Sequence, residues 1–121
     1  MSAAEAPADT TAYKVLTADE MAALERDGSF AGAPVDLADG YMHLSTCEQL
    51  TETVDKHFAG QDDLYVAAVD LGAFASSLKW EESRGGQLFP HLYGPLPLET
   101  VVAYGKLQRN DDGSVRLPIT G

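Results

Sequence analysis

The run Leu64-Tyr65-Val66-Ala67-Ala68-Val69 decides the fold class. It is apolar almost throughout and rich in strand formers, which suits a central strand buried on both faces. Upstream, Tyr13-Lys14-Val15-Leu16 reads as a first strand. Thr17 followed by Glu20 makes a capping box, and Met21 and Leu24 supply the apolar stripe of a helix that stops at Gly28. Ser29 to Asp39 holds Gly32, Pro34 and an Asp39-Gly40 turn signal, and reads as a loop. Tyr41 to Ser45 has the alternation of a strand, with Met42 and Leu44 on one face and Tyr41, His43 and Ser45 on the other. Ser45 with Glu48 forms a second capping box, opening a helix through Leu50, Val54 and Phe58 to Gly60.

Downstream of the central run, a turn or short helix over Leu71 to Ser76 leads to a strand at Leu78-Lys79-Trp80. Leu88 to Tyr93 reads as extended, with Phe89, His91 and Tyr93 on one face and Pro90 marking an edge or a bulge. Thr100 to Gln108 is a last strand, turned by Asn110-Asp111-Asp112-Gly113 into Val115-Arg116-Leu117. Two helices in the first half followed mostly by strands argue for an α+β fold with a mixed or antiparallel sheet. One domain is expected over residues 12–121, behind a small, polar and disordered tail at residues 1–11.

Nineteen acidic against eight basic residues give a net charge of −11. Such a field repels nucleic acid and anionic membrane surfaces, so neither is expected as a partner. A small anionic ligand would need a local cationic patch, and between His57 and Gly105 the cations are Lys79 and Arg84. The single Cys47 forbids an internal disulfide and zinc sites built on several thiolates. The three histidines lack tight ligand spacing, so no metal is expected. No apolar run approaches the roughly 20 residues that cross a bilayer. The N-terminus lacks the basic and apolar regions of a secretory signal, and a cytoplasmic location is the expectation.

Two polar islands mark where a site would lie: Gly40 to Thr46, and Trp80 to Pro97 (WEESRGGQLFPHLYGPLP). His43, flanked by Tyr41 and Ser45, either donates to a ligand or satisfies a backbone carbonyl. Ser45 has capping as its competing role. Arg84-Gly85-Gly86 could bind phosphate or carboxylate through the guanidinium and free N–H groups, or be a plain turn between strands. Glu81 and Glu82 alternate, so one at most enters a cleft. His91 and Tyr93 share a polar, aromatic strand face. Cys47, near a helix start, is either a thiol of interest or a small buried filler. Trp80 reads as core.

Together GYMHLST, the run ending Val69-Asp70 and WEESRGGQLFPHLYGPLPLETVV resemble a bacterial family known as domain of unknown function family 952, from about Tyr13 to Tyr104. The resemblance implies a fold related to that of ADP-ribosyltransferases, a split sheet that clamps NAD. It implies an NAD or nucleotide pocket, with ADP-ribosyl transfer as its chemistry or, alternatively, a module binding a small anion or a protein without catalysis. On this reading His43 and Glu81 are the catalytic pair, and Tyr41, Ser45, Arg84, Gly85, Gly86, His91 and Tyr93 bind the ligand. The late-strand glutamate usual in such enzymes is missing between Val101 and Arg109.

Overall fold

The structure, a computed structural model, describes residues 10–74 and 76–118; the Arg84 side chain and most of the expected tail lie outside the described residues. The run that decides the fold is β4 (Leu64–Asp70), between β1 (Thr11–Thr17) and β8 (Val101–Lys106) in an antiparallel sheet ordered β1-β4-β8. Its residues alternate between two cores. Ala67 and Val69 join Ala12, Leu16, Met21 and Leu24 on one face, while Val66 and Ala68 join Tyr13, Val15, Leu50 and Val54 on the other. Burial on both faces accounts for the unbroken apolar run.

A second antiparallel sheet is ordered β3-β6-β5, from β3 (Met42–His43), β6 (Leu88–Leu92) and β5 (Leu78–Glu82). Met42, Leu44 and Leu92 turn into the first core, against the inner face of the β1-β4-β8 sheet. Among the described residues the two sheets meet at one bridge: Tyr13 N–H donates to Ser45 O (2.7 Å) and Ser45 N–H to Tyr13 O (2.9 Å). The short strands β2 (Ser29–Phe30) and β7 (Leu96–Pro97) form a third pair. Every ladder among the described residues is antiparallel, so of the two expected arrangements the mixed one does not arise.

Helix α1 (Ala18–Asp27) is as read: Thr17 accepts from Glu20 N–H, Glu20 returns the bond to Thr17 N–H, and Gly28 closes the helix at φ 77°. The expected loop over Ser29 to Asp39 is instead β2 and a short helix, α2 (Pro34–Asp39). Its start fits Pro at N1, where no N–H is needed, and Asp36, whose carboxylate accepts from Ala33 N–H at 2.8 Å; Gly40 at φ 88° ends it. A third helix, α3 (Leu50–His57), starts later than expected, because the reciprocal pair that forms, Thr46 with Gln49, closes a turn ahead of the helix. Thr46 N–H donates to Gln49 Oε1 (3.0 Å) and Gln49 N–H to Thr46 Oγ1 (3.3 Å). Ser45 caps nothing; its hydroxyl meets Thr53 at 2.8 Å.

Pro90 also departs from expectation, since β6 is the middle strand of its sheet. Tyr93 N–H donates to Ser77 O and Ser83 N–H to Gln87 O, so odd-numbered β6 residues bond β5 and the Pro90 nitrogen faces β3. Pro90 accepts from Leu44 N–H (3.1 Å) but can return nothing, and β3 ends at His43. The final strand is shorter than expected, because Leu98–Thr100 form a 3-10 turn before β8. Beyond it, Asn110 to Gly113 turn the chain back, with Arg109 bridging Val115.

Candidate functional site

Cross-strand pairing sets His43 directly opposite His91. Alternation sends Met42 and Leu92 to the core, so both imidazoles share the other face with Tyr41 and Tyr93. The Tyr41 ring stacks on His91 (centroids 4.2 Å apart) and tilts over His43 (4.9 Å) and Tyr93 (5.3 Å). The two imidazoles meet edge to face at 5.7 Å.

Each ring is held at Nδ1 by a carboxylate. His43 Nδ1 donates to Asp36 Oδ1 at 2.6 Å, and the His43 backbone N–H reaches the same oxygen at 3.1 Å. The other Asp36 oxygen accepts from Lys14 Nζ at 2.8 Å, and Lys14 also donates to His43 O at 3.1 Å. Lys14 and Asp36 are both buried, with side chains 6% and 2% exposed. Burial pushes the Asp36 carboxyl up, but the His43 hydrogen bond, the Lys14 ammonium and the Ala33 N–H together hold it well below the usual carboxylate range.

His91 repeats the arrangement from the other strand pair. Its Nδ1 donates to Glu81 Oε1 at 2.8 Å, and the Tyr93 hydroxyl donates to the same oxygen at 2.7 Å. The His91 bond, then that of Tyr93, lower the Glu81 carboxyl, while the acceptor pushes Tyr93 up to about 12. Lys79 lies over the Tyr93 ring, 5.0 Å from its centroid. The His91 side chain is 3% exposed, and among the described residues nothing bonds its Nε2.

Both histidines line a cleft of about 620 Å³, whose wall also includes Tyr13, Lys14, Ser45 and Ser83. Glu81, Tyr41 and Tyr93 do not line it; Glu81 and Tyr41 back onto His91 from behind. Tyr41 instead borders a smaller cavity of about 390 Å³ beyond α2, and Asp36 borders both. Glu82 is exposed and Glu81 half-buried, as alternation requires. Arg84–Gly86 forms the turn between β5 and β6, with Gly85 at φ 63° and Gly86 at φ 78°; these conformations favour glycine. The turn joins the cleft through Ser83, and the Arg84 side chain lies outside the described residues. Trp80 packs half-buried against the first core, and Cys47 is exposed rather than a buried filler. Among the described residues no group of three or more His, Cys, Asp or Glu side chains could hold a metal ion. None of the described helices is long and apolar enough to cross a membrane.

Sequence reading missed Lys14 and Asp36. Lys14 carries a signal: it shares strand parity with Ala12 and Leu16, both fully buried, so its ammonium needs an internal partner. Asp36 is concealed by the loop reading of its segment, although Pro34 and Gly40 bracket a helix.

The comparisons agree with this architecture. The crystal structure of protein CC0527 from Caulobacter crescentus is similar at 45% identity and a TM-score of 0.81, over 88% of this chain and 94% of that one. Its solution NMR structure is similar at 45% identity and a TM-score of 0.75, over 88% of this chain and 91% of that one. A search of the curated proteins finds no match. The family model "Protein of unknown function (DUF952)" matches residues 15–104, and the chain belongs to that family.

Proposed function

We propose that the cleft binds a nucleotide, with NAD the first ligand to test, as in the ADP-ribosyltransferase-like fold the sequence suggests. The observation that carries this reading is the paired arrangement of His43 and His91. Two cross-strand imidazoles, each oriented by a carboxylate at Nδ1, stand on the wall of one cleft of about 620 Å³. That volume falls within the range of small-molecule sites. His43 Nε2 then donates to a ligand oxygen in the place that Asp39 now takes at 3.0 Å, and the His91 Nε2, without a partner among the described residues, accepts from a ribose hydroxyl. Ser45 and the Ser83 end of the Arg84-Gly85-Gly86 turn supply polar groups for the remaining hydroxyls and the pyrophosphate. Glu81 works through His91, and Tyr41 and Tyr93 hold the ring in place.

A second reading, binding without transfer, is favoured by the acids. Glu81 Oε1 already accepts two hydrogen bonds outside the cleft wall, and β8 carries no carboxylate. Calorimetric titration with NAD, ADP-ribose and AMP, alongside an assay for released nicotinamide, separates the readings. Saturable binding that His91→Ala weakens at least about tenfold, roughly the value of a hydrogen bond to a buried group, supports the pocket. Nicotinamide release assigns transfer, and binding without release assigns the module. No heat and no thermal shift at millimolar ligand ends the nucleotide reading.

A further inference from the structure

His43 faces a carboxylate at each ring nitrogen, and the two differ in how firmly they are held. Asp36, at Nδ1, is 2% exposed and anchored by Lys14, the Ala33 N–H and the His43 backbone. Moving it would strand a buried ammonium. Asp39, at Nε2, lies 3.0 Å away, is 44% exposed, and makes no other side-chain contact among the described residues. It is the last residue of α2, where a negative charge opposes the helix dipole, and it precedes the left-handed Gly40. Carboxylates only accept, so both contacts call on ring N–H donors of His43. Asp39 and His43 line the cleft together.

We propose that Asp39 is the resident occupant of an anion subsite: its carboxylate takes the place at His43 Nε2 that a phosphate or carboxylate group of the ligand fills once Asp39 swings out. The inference rests on the cleft being a ligand site, but it requires an anionic group and no nucleoside. Around His43 stand Asp36 and Asp39 from α2, Tyr41 just before β3, His91 from β6 and Lys14 at its backbone oxygen, while Glu20 and His57 line the same cleft. Lys14 is committed to Asp36 and His57 stands elsewhere on the wall, so the His43 Nε2 edge beside Asp39 is where an incoming anion meets this ring. Asp39 competes for it and also repels the newcomer.

Titration of the full chain with pyrophosphate, inorganic phosphate and acetate, read by amide chemical shifts, tests this. Asp39→Asn keeps the shape and removes the charge; it should tighten binding about fivefold, the factor that about 1 kcal/mol represents for an exposed ion pair. His43→Gln should abolish that gain. A preference for pyrophosphate over acetate assigns phosphate as the anion, and the reverse assigns carboxylate. Unchanged or weaker binding in a folded Asp39→Asn protein, or no anion binding by it, overturns the proposal. If Asp39→Asn gains pyrophosphate affinity while neither protein binds AMP or NAD, the subsite stands and the nucleotide reading falls. If NAD binds and Asp39→Asn changes nothing, the subsite falls alone.

Discussion

Lys14 and Asp36 form a buried ion pair that also fixes a histidine, and the energetics follow from that double duty. The pair is enclosed, so its Coulomb attraction is set against the desolvation of both ions, and removing one partner costs more than removing both. Asp36→Ala is expected to lower unfolding free energy by about 3–5 kcal/mol in urea titration. A Lys14→Met, Asp36→Leu double variant should be markedly less destabilised. The acid side carries a second signature. The folded Asp36 carboxyl lies below its unfolded value, so its stabilisation is complete above about pH 4 and is lost as pH falls toward the folded value. Melting temperatures recorded from pH 7 to pH 3 should decline over that acid range in the wild type and less steeply in Asp36→Asn. His43 and His91 were readable as candidates because a polar residue on an alternating strand stands out. The carboxylates behind them were harder to assign, since many of the nineteen acids could have been chosen.

At the level of elements, local chemistry was readable where two signals agreed. Thr17, Glu20 and Gly28 bracket α1 as the capping rules require. The start of α3 misled because Ser45 with Glu48 and Thr46 with Gln49 are overlapping pairs of the same form, and the second closes a turn before the helix instead of capping it. The sheet join decides between them: the Ser45 N–H is committed to Tyr13 O, which leaves Thr46 and Gln49 to satisfy each other. Thr46→Ala removes the side-chain acceptor of the Gln49 N–H and is therefore expected to cost about 1 kcal/mol of stability by chemical denaturation, the order of one hydrogen bond. Gln49 has a further task, donating to Leu88 O at 2.8 Å, so the helix entrance is tied to β6. α2 escaped because six residues are too few for a hydrophobic period to register.

Across the whole molecule, β4 is paired on both sides and buried on both faces, whereas β8 is an edge strand with Val102 and Tyr104 exposed. In native-state hydrogen exchange the amides of Val66, Ala67 and Ala68 should be among the slowest, and those of β5, an edge of the second sheet, should exchange earlier. Comparable rates in the two sheets would contradict this division. The class of fold was readable from β4 because burial on both faces leaves a run that few other elements produce. The join between the sheets was not, since an isolated bridge such as that of Tyr13 and Ser45 leaves no periodic trace in sequence. Pro90 carries the last consequence. A residue that accepts from its neighbour and gives nothing back acts as a length gauge for the adjoining strand. The weave closes after residue 43, which frees the backbone two residues on to cross over and clasp Tyr13 in the other sheet.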